Sequence, residues 1–283
     1  MHGPTLEFKD PRAVLKRYGL HPKRSWGQCF LVSPKAVKII ADACVGGDSS
    51  GIVVAEIGAG VGTLTSALIQ RGAVVTAVER DREMCDILRA EIGEEAGFTL
   101  IEADAAKVDY AELFGGKPGV IAGNLPYQLT GRLIRRVVAA VDAIERAVLM
   151  VQREVAERLA APAGHPARGA LSVVVEARFH ARIIHRLKPT AFHPPPKVHS
   201  AVVRLDPRDR KVFDRGIDPD AFDAMVNAAF SGRRKTLLNA LVAAGIADRE
   251  TVRARIAQAG IDPGLRPERL SVDDFARLTD PRK

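Results

Sequence analysis

A chain of 283 residues, 47% hydrophobic and 27% charged, is long enough for one large domain and a smaller one. It has no apolar stretch of about 18 to 20 residues, and its basic N-terminus lacks the apolar core of a secretory signal. We therefore expect a cytoplasmic protein. Three cysteines without a C-x-x-C pair and seven histidines without H-E-x-x-H argue against a disulfide framework or a metal site.

The net charge of +8 is unevenly distributed along the chain. Residues 1–38 carry +6, residues 39–128 carry −8 and residues 129–190 carry +6, while 191–205 and 206–283 carry +2 each. Any single lysine or arginine is most simply a solvated surface residue. Segregation on this scale nevertheless favours a polyanionic partner, either nucleic acid or a membrane surface.

From residue 52 the chain alternates between apolar strand patterns and helical patterns. The alternation is typical of right-handed βαβ units that build a mostly parallel sheet covered on both faces. The pattern predicts strands at 52–57, 73–79, 98–104, 119–124 and 147–152, and helices at 63–72, at 81–93 and around 133–138.

The alternation of strand and helix patterns ends after residue 152. Two β-branched segments, 171–179 and 200–205, predict strands with no helix between them and therefore an antiparallel, hairpin-like edge of the sheet. Beyond a linker at 206–210, only helices are predicted, at 219–230, 233–244, 249–259 and about 267–278. We expect a catalytic α/β domain over 1–206, with a basic segment at 1–50, and a small helical domain over 207–283.

The stretch E-I-G-A-G-V-G-T, residues 56–63, lies where the first strand turns into the first helix. Glycines there let the backbone approach a ligand closely. Glu79 ends the second strand, as a ribose-hydroxyl acceptor would, and Asp104 follows the third. Two carboxylates around a glycine turn suit a ligand with a ribose and a purine but no phosphates, such as S-adenosylmethionine. A purely structural turn is the alternative.

An NAD-dependent oxidoreductase is disfavoured by the same stretch. Gly58, Gly60 and Gly62 give G-x-G-x-G, with Thr63 where the last glycine of the dinucleotide fingerprint belongs. The chain also lacks a catalytic Tyr-x-x-x-Lys.

The fourth strand ends in G-N-L-P-Y, residues 123–127. The side-chain oxygen of Asn124 and the carbonyl of Leu125 are two acceptors for the hydrogens of an exocyclic adenine amine, which would favour the nucleophilic, pyramidal form of that amine. Pro126 restricts the turn, and Tyr127 offers a face for stacking the base. A turn that merely carries a tyrosine is the alternative.

Six ordered blocks resemble the small-subunit ribosomal RNA adenine N6,N6-dimethyltransferases over nearly the whole chain. The blocks are K-R-S-W-G-Q-C-F-L (23–31), E-I-G-A-G-V-G-T-L-T (56–65), G-N-L-P-Y (123–127), V-Q-R-E-V-A-E-R-L (151–159), F-H-P-P-P-K-V-H-S-A-V-V-R-L (192–205) and F-S-G-R-R-K-T-L-L-N-A-L (230–241).

The resemblance implies a class I S-adenosylmethionine-dependent methyltransferase fold with a mostly parallel, seven-stranded, Rossmann-like sheet and a small all-helical C-terminal domain. It implies transfer of methyl groups to two adjacent adenosines in a loop near the 3′ end of 16S rRNA during 30S assembly. The expected partners are therefore 16S rRNA and the 30S subunit, with no membrane and no metal, and we expect a monomer.

The resemblance also assigns roles to individual residues. Cofactor contacts are implied for Leu31, Gly58, Glu79, Asp104 and Asn124, and the glycine-turn and G-Q-C-F-L blocks add Gly60 and Cys29. The target base is held by Asn124, Leu125, Pro126 and Tyr127 and covered by Phe192, for which a place in the core is the alternative.

One position departs from the family. The family usually reads G-Q-N-F-L, whereas Cys29 stands in place of the asparagine. Because cysteine is a weak donor and acceptor, a side-chain hydrogen bond to the cofactor is in doubt there, while a backbone contact could survive.

Phosphate contacts are expected from basic residues in three of the blocks. The candidates are Lys23, Arg24, Lys197, Arg233, Arg234 and Lys235, each with ordinary solvated charge as the alternative. The last three are expected to open a helix, where cations oppose the helix dipole.

Several other functions share parts of this pattern. DNA adenine and glutamine methyltransferases use the same amide-x-Pro-aromatic device, but more typically with proline where Leu125 stands. Erm-type methyltransferases of 23S rRNA are closer, and a non-catalytic RNA-binding assembly factor would keep the fold without turnover.

Overall fold

The structure, a computed structural model, describes residues 8–46, 51–93, 95–208, 211–214, 216–232 and 234–280. Its main feature is a seven-stranded sheet with the strand order β4-β3-β2-β5-β6-β9-β7, beside a two-stranded pair of β1 and β8. The strands are β1 Phe30–Leu31, β2 Val53–Ile57, β3 Val74–Glu79, β4 Phe98–Glu102, β5 Gly119–Asn124, β6 Ile144–Gln152, β7 Phe179–Leu187, β8 Phe192–His193 and β9 Ser200–Pro207.

The sheet confirms the predicted fold class. Strands β2 to β6 pair in parallel, and β9 runs antiparallel to β6, with Ser200 opposite Gln152. The order reverses direction at β2, so that β5 lies on the side of β2 opposite β3. In sheets of this kind, ligands bind at the carboxyl ends of the strands beside such a switch point.

Helices occupy the connections and the C-terminal part of the chain. They are α1 Pro11–Arg17, α2 Pro34–Val45, α3 Thr63–Ile69, α4 Arg82–Ile92, α5 Thr130–Ala139, α6 Arg153–Leu159, α7 Ala170–Glu176, α8 Lys211–Asp214, α9 Pro219–Ala229, α10 Leu237–Ala243, α11 Arg249–Gln258 and α12 Val272–Thr279. Within the described ranges, no helix combines the length and the apolar character that crossing a bilayer requires.

The core sits on both faces of the central strands. Val54 and Val120, neighbours in β2 and β5, are fully buried, and α2 covers them with Ile40 and Ala41. Apolar runs such as 53–55 and 119–122 are what a parallel strand buried on both faces requires. The buried strands hold the loops that follow them in fixed positions.

The predicted strand at 171–179 is wrong. Residues Ala170–Glu176 form α7, and the strand β7 begins only at Phe179. The helix starts where the Gly169 N–H donates to the Ser172 hydroxyl, 3.0 Å away, which in turn donates to the carbonyl oxygen of Arg158, 2.6 Å away. The buried packing of the valines outweighed their β propensity, which is a weak and context-dependent preference.

The C-terminal helices begin at side-chain caps. Asp218, Thr236, Asp248 and Ser271 each accept a hydrogen bond from a backbone N–H of the following turn. Within the predicted helix at 233–244, the observed helix starts at Leu237, so Arg234 and Lys235 precede it and do not open it.

The chain divides into two compact units. One comprises Met1–Ala156 and Arg182–Pro207, and the other comprises Glu157–Ala181 and Arg208–Lys283. Residues 157–181 group with the helical unit in this division. The predicted domain bounds and the functions of the two domains stay predictions.

Candidate active site

A cavity opens at the carboxyl ends of β2, β3 and β5, within the first unit. It is lined by the glycine turn after β2, the end of β3, the loop after β4 and the Asn-Leu-Pro-Tyr turn after β5. The N-terminal segment around β1 forms another side. The topology thus brings together four segments that are distant in the sequence.

The glycine turn has a backbone that other residues rarely adopt. Gly58, Gly60 and Gly62 have φ values of 76°, 56° and 81°. A β-carbon at Gly60 would lie 3.0 Å from the ring of Phe30. The turn therefore needs glycine both for its conformation and for the closeness of the N-terminal segment.

Two predicted carboxylates reach this cavity. The Glu79 carboxylate accepts hydrogen bonds from the backbone N–H groups of Gly60 (2.9 Å), Arg80 (2.8 Å) and Asp81 (2.9 Å), which lock its orientation. Asp104 accepts one from the backbone N–H of Ala106 at 2.9 Å and also lines the cavity. The strand-end placement predicted from the sequence is thus reproduced in the geometry.

A third carboxylate, Glu56, was missed. Its side chain lines the cavity, is only 2% exposed and accepts a hydrogen bond from the Thr65 hydroxyl at 2.6 Å. Burial, with a further contribution from the charge of Glu79, raises the pKa of Glu56 to about 8. A carboxylate inside an otherwise apolar strand was the available sequence signal.

The amide of Asn124 is held by the N-terminal segment. Its Nδ2 donates to the backbone carbonyl of Cys29 at 2.8 Å. This bond orients the amide so that Oδ1 remains an acceptor, and no described residue donates to Oδ1. The contact uses the backbone of position 29, so the cysteine that departs from the family pattern can provide it.

The rest of the turn is also fixed. The Leu125 N–H donates to the carbonyl of Met150 at 3.0 Å. The hydroxyl of Tyr127 shares a 2.7 Å hydrogen bond with that of the fully buried Ser200, and burial raises the pKa of Tyr127. Leu125, Pro126 and Tyr127 all line the cavity, and their role in holding a base stays a prediction.

Lys23, a candidate for RNA binding, is paired with two carboxylates of the protein itself. Its Nζ is 2.7 Å from a carboxylate oxygen of Asp81 and 2.7 Å from one of Glu83. Asp81 is 1% exposed and also accepts from the side-chain amide of Gln28 at 2.7 Å. Lys23 therefore fixes the N-terminal segment against the start of α4, because two carboxylates already neutralise its charge.

Trp26 lies on the same segment and lines the cavity while remaining 38% exposed. The guanidinium of Arg80 lies 4.3 Å from its ring centroid, and the Nζ of Lys23 lies 5.0 Å away. Trp26, Gln28 and Arg80 were missed as cavity residues. The chain has one tryptophan, and its place inside a resemblance block was the only sequence signal.

Phe192 is a core residue. It is 3% exposed, belongs to the core cluster under the sheet and pairs with Leu31 between β8 and β1. It is not among the residues that line the cavity, whereas Leu31 is. The structure thus matches the alternative that the sequence left open for Phe192, because the short β1–β8 pairing turns this side chain inward.

The structure describes the side chains of three further RNA-binding candidates. Lys197, Arg234 and Lys235 are exposed. Arg234 has a φ of 65°, the one positive value among the described non-glycine residues. Arg233 and the side chain of Arg24 lie outside the described part of the chain.

The cavity fits S-adenosylmethionine by the chemistry of its lining. Glu79 and Asp104 give it an acidic character that favours a sulfonium cation and disfavours phosphates. A glycine turn without side chains leaves room for an adenosine. Among the described residues, no group of three or more His, Cys, Asp and Glu could hold a metal ion.

Solved structures share this fold. The 23S rRNA methyltransferase ErmE is 24% identical, with a TM-score of 0.65, covering 89% of this chain and 98% of that chain. A dimethyladenosine transferase from Plasmodium falciparum is also 24% identical, with a TM-score of 0.73, covering 88% and 95%. Both likenesses concern the fold alone.

Two relatives found by sequence have a higher identity to this chain than these solved structures do. The ribosomal RNA small subunit methyltransferase A of Anaeromyxobacter sp. (strain K) is 44% identical over 97% of this chain and 98% of its own. The protein of the same name from Myxococcus xanthus (strain DK1622) is 41% identical, over 96% and 94%. The profile of the family described as ribosomal RNA adenine dimethylase matches residues 19–281.

These matches favour the predicted activity over the oxidoreductase, DNA methyltransferase and glutamine methyltransferase alternatives. The family profile spans residues 19–281, and the first of these relatives is 44% identical over 97% of this chain. The chain therefore belongs to the ribosomal RNA adenine dimethylase family and is an S-adenosylmethionine-dependent methyltransferase of ribosomal RNA adenine.

Proposed function

We propose that this enzyme dimethylates the N6 amines of two adjacent adenosines in a loop near the 3′ end of 16S rRNA, during assembly of the 30S subunit. The names of the 44% and 41% identical relatives, both small-subunit methyltransferases, support this target. We propose further that it acts as a monomer in the cytoplasm, with the 30S particle as its partner.

The observation that carries the mechanism is the hydrogen bond from Asn124 Nδ2 to the carbonyl of Cys29, at 2.8 Å. With Nδ2 committed to Cys29, Oδ1 is the free acceptor of the amide. The Leu125 carbonyl is a second acceptor, to which no described residue donates. Acceptors aimed before the substrate arrives need no reorganisation when the reaction occurs.

The two acceptors act on the electrons of the target amine. The lone pair of an adenine amine is delocalised into the ring, which makes the amine a poor nucleophile. Hydrogen bonds to Oδ1 of Asn124 and to the Leu125 carbonyl favour a pyramidal amine with a localised lone pair, and they strengthen toward the transition state. No general base is required, because the amine loses its proton late in the reaction.

The tyrosine positions the base. Its hydroxyl is fixed by Ser200 at 2.7 Å, so its ring has a defined orientation beside the turn. Stacking on such a ring contributes roughly 1–3 kcal/mol per base at comparable sites. Because a duplex hides the amine, the reacting base must be unstacked to reach this ring.

We propose that Leu31, Gly58, Gly60, Glu79, Asp104 and Asn124 hold S-adenosylmethionine, with the backbone of Cys29 beside them. When bound, the cofactor supplies an electrophilic methyl group. The carboxylates of Glu79 and Asp104 are acceptors for ribose hydroxyls and the purine amine. The apolar side chain of Leu31 excludes water at the N-terminal side.

The test is transfer of labelled methyl groups from S-adenosylmethionine to 30S particles that lack the modification. We expect incorporation of up to four methyl groups per particle, all in 16S rRNA. Incorporation into 23S rRNA instead would favour the Erm-type alternative. Tight RNA binding without any incorporation would favour a non-catalytic assembly factor.

A further inference from the structure

We propose that the exposed face of α5 formed by Gly131, Arg132 and Arg135 binds the phosphate backbone of the RNA beside the target adenosine. We call these three residues the α5 ledge. The inference rests on the proposed function, since it places a second RNA contact next to the turn that holds the base.

The ledge is joined rigidly to the base-holding turn. The carbonyl of Pro126 accepts hydrogen bonds from the Leu129 N–H at 2.9 Å and from the Thr130 hydroxyl at 3.1 Å. Leu129 and Leu133 line the cavity on the inner side of this segment. The start of α5 is therefore hydrogen-bonded directly to the turn that is proposed to hold the base.

The two arginines of the ledge are exposed and have no ion pair or hydrogen bond with any described residue. Other arginines of this unit are neutralised: Arg89 pairs with Glu102 at 2.8 Å and Arg71 with Asp42 at 2.7 Å. Arg132 and Arg135 are three residues apart and so lie on one side of the helix. Planar guanidinium groups bind phosphate oxygens in a bidentate manner, which makes the pair suited to adjacent phosphates.

The glycine at position 131 supports the proposed RNA contact independently of the arginines. Its φ is not positive, and a β-carbon added there would meet no atom within 4 Å. Neither backbone conformation nor packing within the protein requires a glycine at this position, although glycine is less favourable than alanine in a helix. A bare surface between the turn and the two arginines leaves room for a closely approaching RNA strand.

The first test is binding of a fluorescein-labelled RNA hairpin, with two adjacent adenosines in its loop, measured over a range of salt concentrations. We expect Arg132→Gln and Arg135→Gln each to weaken binding about 3- to 10-fold and to lower the slope of log K against log salt by about 0.7. The matched control is Arg253→Gln, which removes another exposed arginine, in α11, that pairs with no described residue, and it should change neither value.

The second test separates binding from folding. Gly131→Ala should raise the melting temperature by about 1–2 °C, because alanine favours the helix, while weakening RNA binding. In methyl transfer to 30S particles, the arginine variants should raise KM at unchanged kcat. A merely structural role would not produce a more stable protein that binds RNA less well.

Unchanged hairpin affinity and salt slope in both arginine variants would overturn the proposal. Loss of 30S binding with intact hairpin binding would overturn it as well, because the ledge would then contact a ribosomal protein. A parent protein that binds the hairpin but transfers no methyl groups would refute the proposed function. The comparison of hairpin binding between the parent and the arginine variants would still test the ledge.

Discussion

At the scale of single residues, the orientation of one amide connects the fold to the chemistry. The Asn124 amide is fixed through Nδ2 by the carbonyl of Cys29, and this leaves Oδ1 as the acceptor that we propose for the target amine. The sequence predicted the role of Asn124, but a partner 95 residues away could be found only in the structure. Local patterns carry no information about such a pairing.

We expect Asn124→Ala to lower kcat by about 10²- to 10³-fold, because an acceptor that acts mainly in the transition state is lost. RNA affinity should change less than threefold. Single-turnover methyl transfer and hairpin binding measure the two quantities, with Asn227→Ala on the exposed face of α9 as the control. An equal loss of kcat and of RNA affinity would contradict the assigned role.

The buried Glu56 predicts a pH dependence of stability. Its pKa is raised by burial from 4.5 to about 8, so between these pH values the folded state keeps a proton that the unfolded state has lost. The contribution of Glu56 to stability therefore falls as the pH rises through this window. Glu56→Gln resembles the protonated form and removes the effect.

Calorimetric melting temperatures at pH 5 and pH 8 test this expectation. The parent should lose more stability between the two pH values than Glu56→Gln does. Equal losses in both proteins would mean that Glu56 is ionised throughout the window.

At the scale of elements, close contact between neighbouring strands restricts the residue that precedes the Asn-Leu-Pro-Tyr turn. Gly123 lies opposite Ile57 in the pairing of β5 with β2. A β-carbon at Gly123 would lie 2.5 Å from the backbone carbonyl oxygen of Ile57. The sheet backbone cannot move aside as a flexible side chain can.

We expect Gly123→Ala to destabilise the protein by roughly 1–3 kcal/mol and to reduce cofactor binding, because β5 must shift away from β2. Urea unfolding and calorimetric titration with S-adenosylhomocysteine measure these effects. Gly131→Ala, which meets no atom within 4 Å, is the matched control. A Gly123→Ala variant as stable as the parent would show that the strands separate at little cost.

The element predictions failed where side-chain type and tertiary packing disagreed. The valines of α7 predicted a strand, yet the Gly169–Ser172 contact starts a helix there. By contrast, the strands β2, β3 and β5 lie close to their predicted bounds. Long apolar runs ended by glycine or a polar turn identify buried strands well, whereas a short β-branched run is equally compatible with a buried helix.

At the scale of the whole molecule, the charge segregation of the sequence is largely cancelled by folding in the first unit. Cations of the basic segment pair with the acidic block: Lys9 and Arg17 with Glu91, at 3.2 and 2.7 Å, and Lys23 with Asp81. Net charge along the chain therefore overstates the number of cations that residues 1–38 leave unpaired. Unpaired cations such as Arg234 are better candidates.

We expect Arg234→Ala to weaken RNA binding and to make its salt dependence shallower by about 0.7–0.9 in log–log slope, with kcat little changed. Arg234→Gly should have the same effect on RNA binding and its salt dependence, because it removes the same charge and accommodates the positive φ. Hairpin binding at several salt concentrations is the measurement, with Arg253→Ala as the control. An unaltered slope in both variants would remove Arg234 from the RNA contacts.

The α/β alternation, the order of the motifs and the chemistry available at the strand ends follow from the amino-acid pattern alone. Apolar periodicity, the glycine turn at 56–63 and the G-N-L-P-Y stretch are local features, which can be identified without knowledge of the fold. Three further properties became visible only in the folded chain: Phe192 packs in the core, Lys23 is neutralised, and Cys29 orients Asn124. These outcomes depend on contacts between distant segments, and the free energy of such contacts is set by burial and partner rather than by residue type.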